Sequence, residues 1–479
     1  MNKSLKTNAT LNMTKTVMGL IFPLITFPYV SRVLEPSGVG KVNFAHAIIS
    51  YFSMIASLGI STYGVREAAK VRDDRRKLSK FVKEILSINV VSTLVAYLLL
   101  AVSLLVIPRF NEYKQLLVVC SGTILFTTLG IDWFYTALEE FAYITIRSIV
   151  FQVISLVLMF IFVRTKNDYL KYAGIGVISS VGSNILNFIH ARKYISIGEK
   201  VKKEIRKHIK PIFTLFAMSI AVSIYTVLDT TMLGFISGDE QVGFYSAATR
   251  INKLVISVIT AAVAVLLPRL SYFISKHDEV QFYVLSEKAM KAVILLALPS
   301  AVGLCLVARP VIMLLSGARF EMAIPTMRVM NPIIVAISLS GLIGIQIFMP
   351  LGKEKQTLIS VIIGALINFT LNLILIPNYG AFGAGCATVC AESLVTLFQL
   401  VCARKLFNWK SILPHLLQCV LASVIMSAVV YLLLKINMQF VLQLLVSVFA
   451  GAFVYVACLY LFRNQFCLLI IKQRKKNEV

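Results

Sequence analysis

Three basic residues fall inside long apolar stretches: Arg147, Arg250 and Lys253. A charge in such a place is costly, so it faces a wet cavity, finds a partner, or reaches its head out to the interface. Arg250 and Lys253 are three apart and share one helix face. An arginine suits a phosphate because its planar fork donates two hydrogen bonds at once. Arg32, at the end of the first apolar stretch, is a more exposed candidate for the same work. Each has a plainer explanation. Arg250 and Lys253 lie within reach of the headgroups, and Arg147, soon after Glu140, can pair structurally.

Acidic residues inside the stretches offer a different chemistry. Asp229 sits in "YTVLDTTML", Asp132 stands beside Trp133, and Glu392 follows "ATVCA". Low dielectric disfavours the charged carboxylate unless a cation compensates it, so such a group can titrate or take up an ion. Asp229 is the favoured coupling site, on the apolar stretch before the one holding Arg250 and Lys253. Its alternative is a salt bridge that only holds helices. His46, in "NFAHAI", suits a proton or hydroxyl contact or a simple polar helix contact. The expected alternatives are coupling to a proton or sodium ion and uncoupled exchange, with no cofactor in either. No Gly-rich phosphate loop with its lysine and no metal-binding His pair is present. The eight cysteines are scattered, and Cys386 and Cys390 lack the further ligands a metal needs. The expectation is a protein without catalytic residues, not an enzyme.

The elements that hold these residues follow from composition. Of 479 residues, 58% are hydrophobic and 14% charged, with a mean hydropathy of +0.83. A soluble chain carries about 25% charged residues. The net charge of +25 is confined to short loops between apolar runs, which points to anionic lipid headgroups and away from nucleic acid. The first run, Val17–Val30, lacks a small-residue cleavage site and is expected to be a span, not a removed leader.

About 20 apolar residues are needed to cross the hydrocarbon. Fourteen runs qualify: 16–34, 42–65, 84–107, 114–137, 141–163, 171–190, 211–236, 242–268, 288–308, 325–349, 356–377, 383–403, 412–434 and 439–462. With the N-terminus inside, 33 of the 47 Lys and Arg fall in cytoplasmic segments and 11 in outer ones. That bias sets both termini in the cytoplasm. The fold class expected is all-α, polytopic, with fourteen transmembrane helices.

Two features suggest a duplicated body. "LEPSGVGKVNFAHAI" and "FISGDEQVGFYSAATRI" both place Val-Gly at a tight outer turn before a helix, and a long basic connector separates spans six and seven. The expected parts are an N-terminal lobe, 1–190, a cytoplasmic connector, 191–210, a second lobe, 211–403, and helices thirteen and fourteen with a basic tail, 404–479. Pro23 and Pro28, framing "FPLITFP", are expected to bend or locally unwind the first helix.

These residues resemble a family. "IFPLITFPYVSRVLEPSGVGKVNFAHAIISYF", "LGISTYGVREAA", "DWFYTALEEF", "LGFISGDEQVGFYSAATRINKL" and "LIPNYGAFGAGCATVCAE" are similar to the bacterial polysaccharide-unit flippases, the Wzx-like or RfbX-like group of the MOP exporter superfamily. The resemblance extends over nearly the whole chain. It implies two six-helix lobes in a V-shape plus two C-terminal helices. It further implies transfer of undecaprenyl-diphosphate-linked oligosaccharide from the cytoplasmic to the outer leaflet of the bacterial inner membrane, for capsule, O-antigen or a related polymer. Arg250, Lys253, Arg147 and Arg32 would then meet the anionic head, and a polymerase and glycosyltransferases would be the neighbouring partners. The alternative is a cation-coupled exporter of small amphipathic compounds. The basic residues within spans argue against it, since a site for organic cations calls for acids and aromatics.

Overall fold

The computed structural model describes residues 5–195, 204–436 and 438–464; side chains at 5–10, 12, 13, 15–17, 20 and 217–225 lie outside the description. Cys467, the tail from 465 and the connector stretch 196–203 are likewise outside the described residues. Contacts divide the chain into two compact units, Met1–Gly243 and Phe244–Val479.

Eighteen α-helices and no strand occur among the described residues. The first unit holds α1 (Leu5–Ser57), α2 (Ile60–Val71), α3 (Arg75–Val106), α4 (Lys114–Gly130), α5 (Asp132–Ala137), α6 (Phe141–Phe162), α7 (Tyr169–Val177), α8 (Asn184–Ala191) and α9 (Arg206–Ile236). The helix α10 (Asp239–Ala264) carries the chain onward. The second unit continues with α11 (Leu267–Ser275), α12 (Glu279–Leu306), α13 (Ala308–Leu315), α14 (Ala323–Met330), α15 (Ile333–Gly341), α16 (Glu354–Cys402), α17 (Trp409–Leu434) and α18 (Phe440–Leu461).

Local chemistry sets the helix ends. Asp74 caps α3 by accepting from the backbone N–H of Arg76 and Lys77, both at 3.0 Å, and Asp278 caps α12 at the N–H of Gln281. Large apolar side chains face outward at helical spacing: Val91, Leu94, Leu98 and Leu105 of α3 are 61, 64, 65 and 84% exposed. In water such a stripe would drive aggregation; in a bilayer it is the lipid face.

Ten helices among the described residues are long and apolar enough to span a membrane, or eleven if the bent pair Ala323–Met330 and Ile333–Phe348 is one span. The expected fourteen is not reached by that criterion, and the reason is visible in two very long helices. In α16, the single non-helical residue is Gly380. A Cβ at Gly383 would lie 2.5 Å from the Leu375 carbonyl oxygen, although eight residues of straight helix cover about 12 Å. The chain therefore folds back at Gly380. In α1 the break is at Glu35, immediately before Pro36, whose ring disfavours helical geometry at the preceding residue. On either side of it, the Tyr29 hydroxyl donates to the Val163 carbonyl, and Lys41 covers the Tyr169 ring. The seventh expected span, 211–236, lies on α9, partly outside the described side chains.

Of the two outcomes expected at Pro23 and Pro28, bending or local unwinding, the unwinding does not occur. Helical dihedrals run through Pro23 and Pro28, so α1 is not unwound there; the one departure is Glu35. A proline inside a helix forfeits one hydrogen bond, whereas at a break it removes the competing helical state of its neighbour. The two Val-Gly pairs of the internal repeat are brought together. Gly40 presses on the Asp239 carbonyl and the Gly243 amide, and Gly243 on the Pro36 carbonyl, leaving no room for a side chain at either.

Candidate functional site

The first polar cluster stands where α4 stops. Ile131 takes a left-handed conformation, φ 38°, and ends the helix between Gly130 and Asp132. The carbonyls freed by that break need donors, and two asparagines of α8 supply them. Asn184 donates to the Phe126 carbonyl at 3.1 Å, while Asn187 donates to the Gly130 carbonyl and to Asp132 Oδ1, the latter at 2.8 Å. A π-helical turn at Ile178–Gly182 shifts the register that brings them there.

Arg147 and Asp132 had separate expected roles, one for substrate and one for coupling. They form one ion pair: Arg147 Nη2 lies 2.9 Å from Asp132 Oδ1, and Nη1 donates to the Ser183 carbonyl at 3.2 Å. The arginine side chain is 5% exposed and the aspartate 48%. Aromatic rings line the same place. Tyr143 stacks on His190 at 4.2 Å, lies 5.1 Å from Tyr135, and carries the Arg147 guanidinium 5.7 Å from its centroid.

A second cluster escaped the sequence. Glu84 of α3, 1% exposed, accepts from His208 Nε2 at 2.8 Å and from the backbone N–H of Glu204 at 2.8 Å. On the other side of the imidazole, Nδ1 lies 2.7 Å from the Tyr63 hydroxyl. These groups floor a cavity of about 470 Å³, rimmed by Lys70, Lys77, Lys80 and Lys207. The rim is electrically balanced: Lys80 and Lys207 each reach Glu84 and Glu204, Lys70 pairs with Glu67, and Lys77 with Asp74. The ammoniums of Lys80 and Lys207 hold the Glu204 carboxyl down to about 2. No sequence signal links Glu84 with His208, which are 124 residues apart and on different helices.

The remaining expected residues are dispersed. Arg32 is exposed, with its guanidinium on the Pro28 carbonyl. His46 is half-buried, beside Gly176. Asp229 is buried, two residues from Thr231, whose hydroxyl donates to the Tyr51 hydroxyl at 3.3 Å.

In the second unit, Arg250 is half-buried and Lys253 exposed on α10. Asn252, between them, is wholly buried and accepts from the Asn331 amide at 2.8 Å, at the break between α14 and α15. Glu392 is half-buried in α16. No group of metal-ligating side chains occurs among the described residues. The second unit also holds an apolar groove of about 420 Å³ between α12, α17 and α18, with Pro299, Gly303, Met426, Val430, Gly451 and Tyr455 among its walls.

Known proteins share this organisation. A protein of Escherichia coli (strain K12), provisionally named an O-antigen transporter, is 24% identical over 390 residues, covering 80% of this chain and 93% of that protein. Among solved structures, the lipid II flippase MurJ in an inward closed conformation matches with a TM-score of 0.77 at 20% identity, over 95% of this chain and 99% of that one. An inward-facing multidrug resistance MATE transporter of the MOP superfamily matches with a TM-score of 0.63 at 14% identity, over 80% and 93%. At these identities the two structures establish the fold alone. Residues 5–274, more than half of the chain and including the Asp132–Arg147 cluster, match the family described as polysaccharide biosynthesis protein, and the chain belongs to that family.

Proposed function

We propose that this protein flips undecaprenyl-diphosphate-linked oligosaccharide units from the cytoplasmic to the outer leaflet of a bacterial plasma membrane, supplying capsule, O-antigen or a related surface polymer. The observation that carries this reading is the Asp132–Arg147 cluster: an accessible carboxylate on a buried guanidinium, inside apolar helices, in a chain of a polysaccharide biosynthesis family. Charged groups at membrane depth pair with one another or mark a substrate path, and this pair leaves its carboxylate half-exposed, as a path for a hydrated passenger calls for. A lipid-linked sugar diphosphate has a hydrated head and a long apolar tail. The groove between α12, α17 and α18 suits the tail, since its walls are apolar. Arg250, Lys253 and Arg32 are the candidates for the diphosphate, by charge and by the fork geometry of arginine. Asp229, Glu392 and His46 are the candidates for coupling to a proton or sodium ion. In this reading both termini are cytoplasmic, fourteen helices span the membrane, and the chain alters no covalent bond of its cargo. A polymerase and glycosyltransferases are its functional neighbours. The exporter alternative is supported by fold likeness alone.

Deleting the gene tests the proposal. The deletion strain should lack the surface polymer and accumulate its lipid-linked unit on the cytoplasmic leaflet, and a plasmid copy should reverse both. Normal polymer, with no accumulated intermediate, would refute it.

A further inference from the structure

The cluster around Asp132 has more polar capacity than its ion pair uses. Arg147 is 7% exposed, yet its Nε–H has no partner. Asn187 is fully buried; its NH2 group serves Gly130 and Asp132, which fixes the amide orientation and leaves Oδ1 without a donor. His190 Nδ1 is also unpartnered, while its ring stacks on Tyr143. Buried polar groups are nearly always satisfied, so three in one cluster, beside a half-exposed carboxylate, mark a place shaped for a polar ligand.

The ligand's chemistry follows from the groups that would meet it. A diphosphate is disfavoured, because Arg147 is already neutralised by Asp132 and the carboxylate would repel a second anion. The cluster holds one accessible acceptor, the half-exposed Asp132, with a second acceptor, Asn187 Oδ1, and one donor, Arg147 Nε, enclosed directly behind it. Neighbouring hydroxyls on a sugar ring both donate and accept, and the ring's C–H face packs on aromatic side chains such as the Tyr143–His190 stack. We propose that Asp132, Asn187 and Arg147 form a saccharide subsite that reads the hydroxyls of one sugar of the lipid-linked unit. This rests on the function proposed above. Arg147 then recognises sugar, and the diphosphate falls to other cations. Asp132 and Arg147 lie five and six residues from the ends of their spans at Ala137 and Phe141, about 9 Å of helix. That depth places the subsite near one membrane face, where a glycan can enter with its water.

Trp133 follows Asp132 in α5, with its ring against Phe81 and Phe134, and is one of two tryptophans, so a W409F protein has a single reporter on the helix that carries Asp132. The full chain in lipid nanodiscs is titrated with three probes. These are the intact lipid-linked oligosaccharide extracted from the deletion strain, the free glycan released from it by mild acid, and undecaprenyl diphosphate. Binding is read by calorimetry and by Trp133 emission. The intact lipid and the free glycan should both bind and shift the emission, and undecaprenyl diphosphate should leave the emission unchanged. D132N should weaken free-glycan binding at least tenfold without weakening undecaprenyl diphosphate binding. Monodisperse elution checks folding. If D132N fails that check, R147K carries the comparison, since lysine keeps the charge but loses the Nε donor. If the intact lipid binds while the free glycan does not, or if the variant binds glycan with wild-type affinity, the subsite is wrong and the proposed function stands. If the intact lipid itself does not bind, both are wrong.

Discussion

Removing the Glu84 carboxylate should destabilise the first unit more than any single change on the rim around it. Glu84 is 1% exposed and accepts from the His208 imidazole and the Glu204 backbone N–H, both at 2.8 Å. Lys207 and Lys80 are farther away, at 3.5 and 4.0 Å, and more exposed. In E84A, His208 is left buried without its acceptor, and the Glu204 amide, on an exposed residue, also loses its own. Hydrogen bonds to a charged group contribute about 1.5–3 kcal/mol each, and breaking a buried pair on one side costs about 3–5 kcal/mol. E84A should therefore lose about 3–5 kcal/mol. E84Q keeps an acceptor for one of the two donors and should lose about half as much. K80A removes a partly exposed partner at the edge of contact and should cost below about 1 kcal/mol. The assay is denaturant or thermal unfolding in detergent of each variant made in the W409F protein, followed by the emission of Trp133, which lies 5.9 Å from the Phe81 ring beside this cluster. If K80A destabilises as much as E84A, or if E84A changes stability by less than about 1 kcal/mol, the carboxylate is not the anchor described here.

Three further outcomes are expected. G383A should fail to reach the membrane in folded form, since its Cβ would sit 2.5 Å from the Leu375 carbonyl; normal yield on membrane-fraction immunoblots would contradict the fold-back at Gly380. Glu204 has its carboxyl lowered to about 2 from an ordinary value near 4.3, so its stabilising contribution is complete above the ordinary value and lost as pH falls toward about 2. Unfolding curves of wild type and E204Q should differ at pH 6 and converge by about pH 2; a constant difference across that range would contradict the pairing with Lys80 and Lys207. With the eight cysteines replaced, a cysteine at Ser237 should react with an impermeant thiol reagent on intact cells, and one at Lys77 only after permeabilisation; the reverse pattern would overturn the assigned orientation.

Much of the fold was readable one segment at a time. The runs 141–163, 412–434 and 439–462 correspond to Phe141–Phe162, Trp409–Leu434 and Phe440–Leu461, because hydrocarbon accepts a backbone only as a self-satisfied helix of sufficient length. The close pair 114–137 and 141–163 is separated as expected, although the first is broken at Ile131. Of the candidate site, the residue types were visible and the pairings were not. Arg147 and Asp132 each stood out as a charge in an apolar run, but their sharing of one ion pair depends on how α5 meets α6.

The sequence by itself determined what is local or additive: a membrane-embedded, all-helical chain, the apolar runs, the bias of positive loops, and the family motifs. Each depends on residue types within about 20 positions, since transfer of a segment into lipid is a sum over its own side chains. Only the tertiary structure decided the contacts across the chain. Glu84 meets His208 across 124 residues, Asn187 closes the helix break at Gly130 across 57, and the two repeated Val-Gly pairs touch. It also placed the one non-helical residue inside α1 at Glu35. Such outcomes are set by which helices pack together and which buried donors then need acceptors, a competition among distant partners that no single segment records.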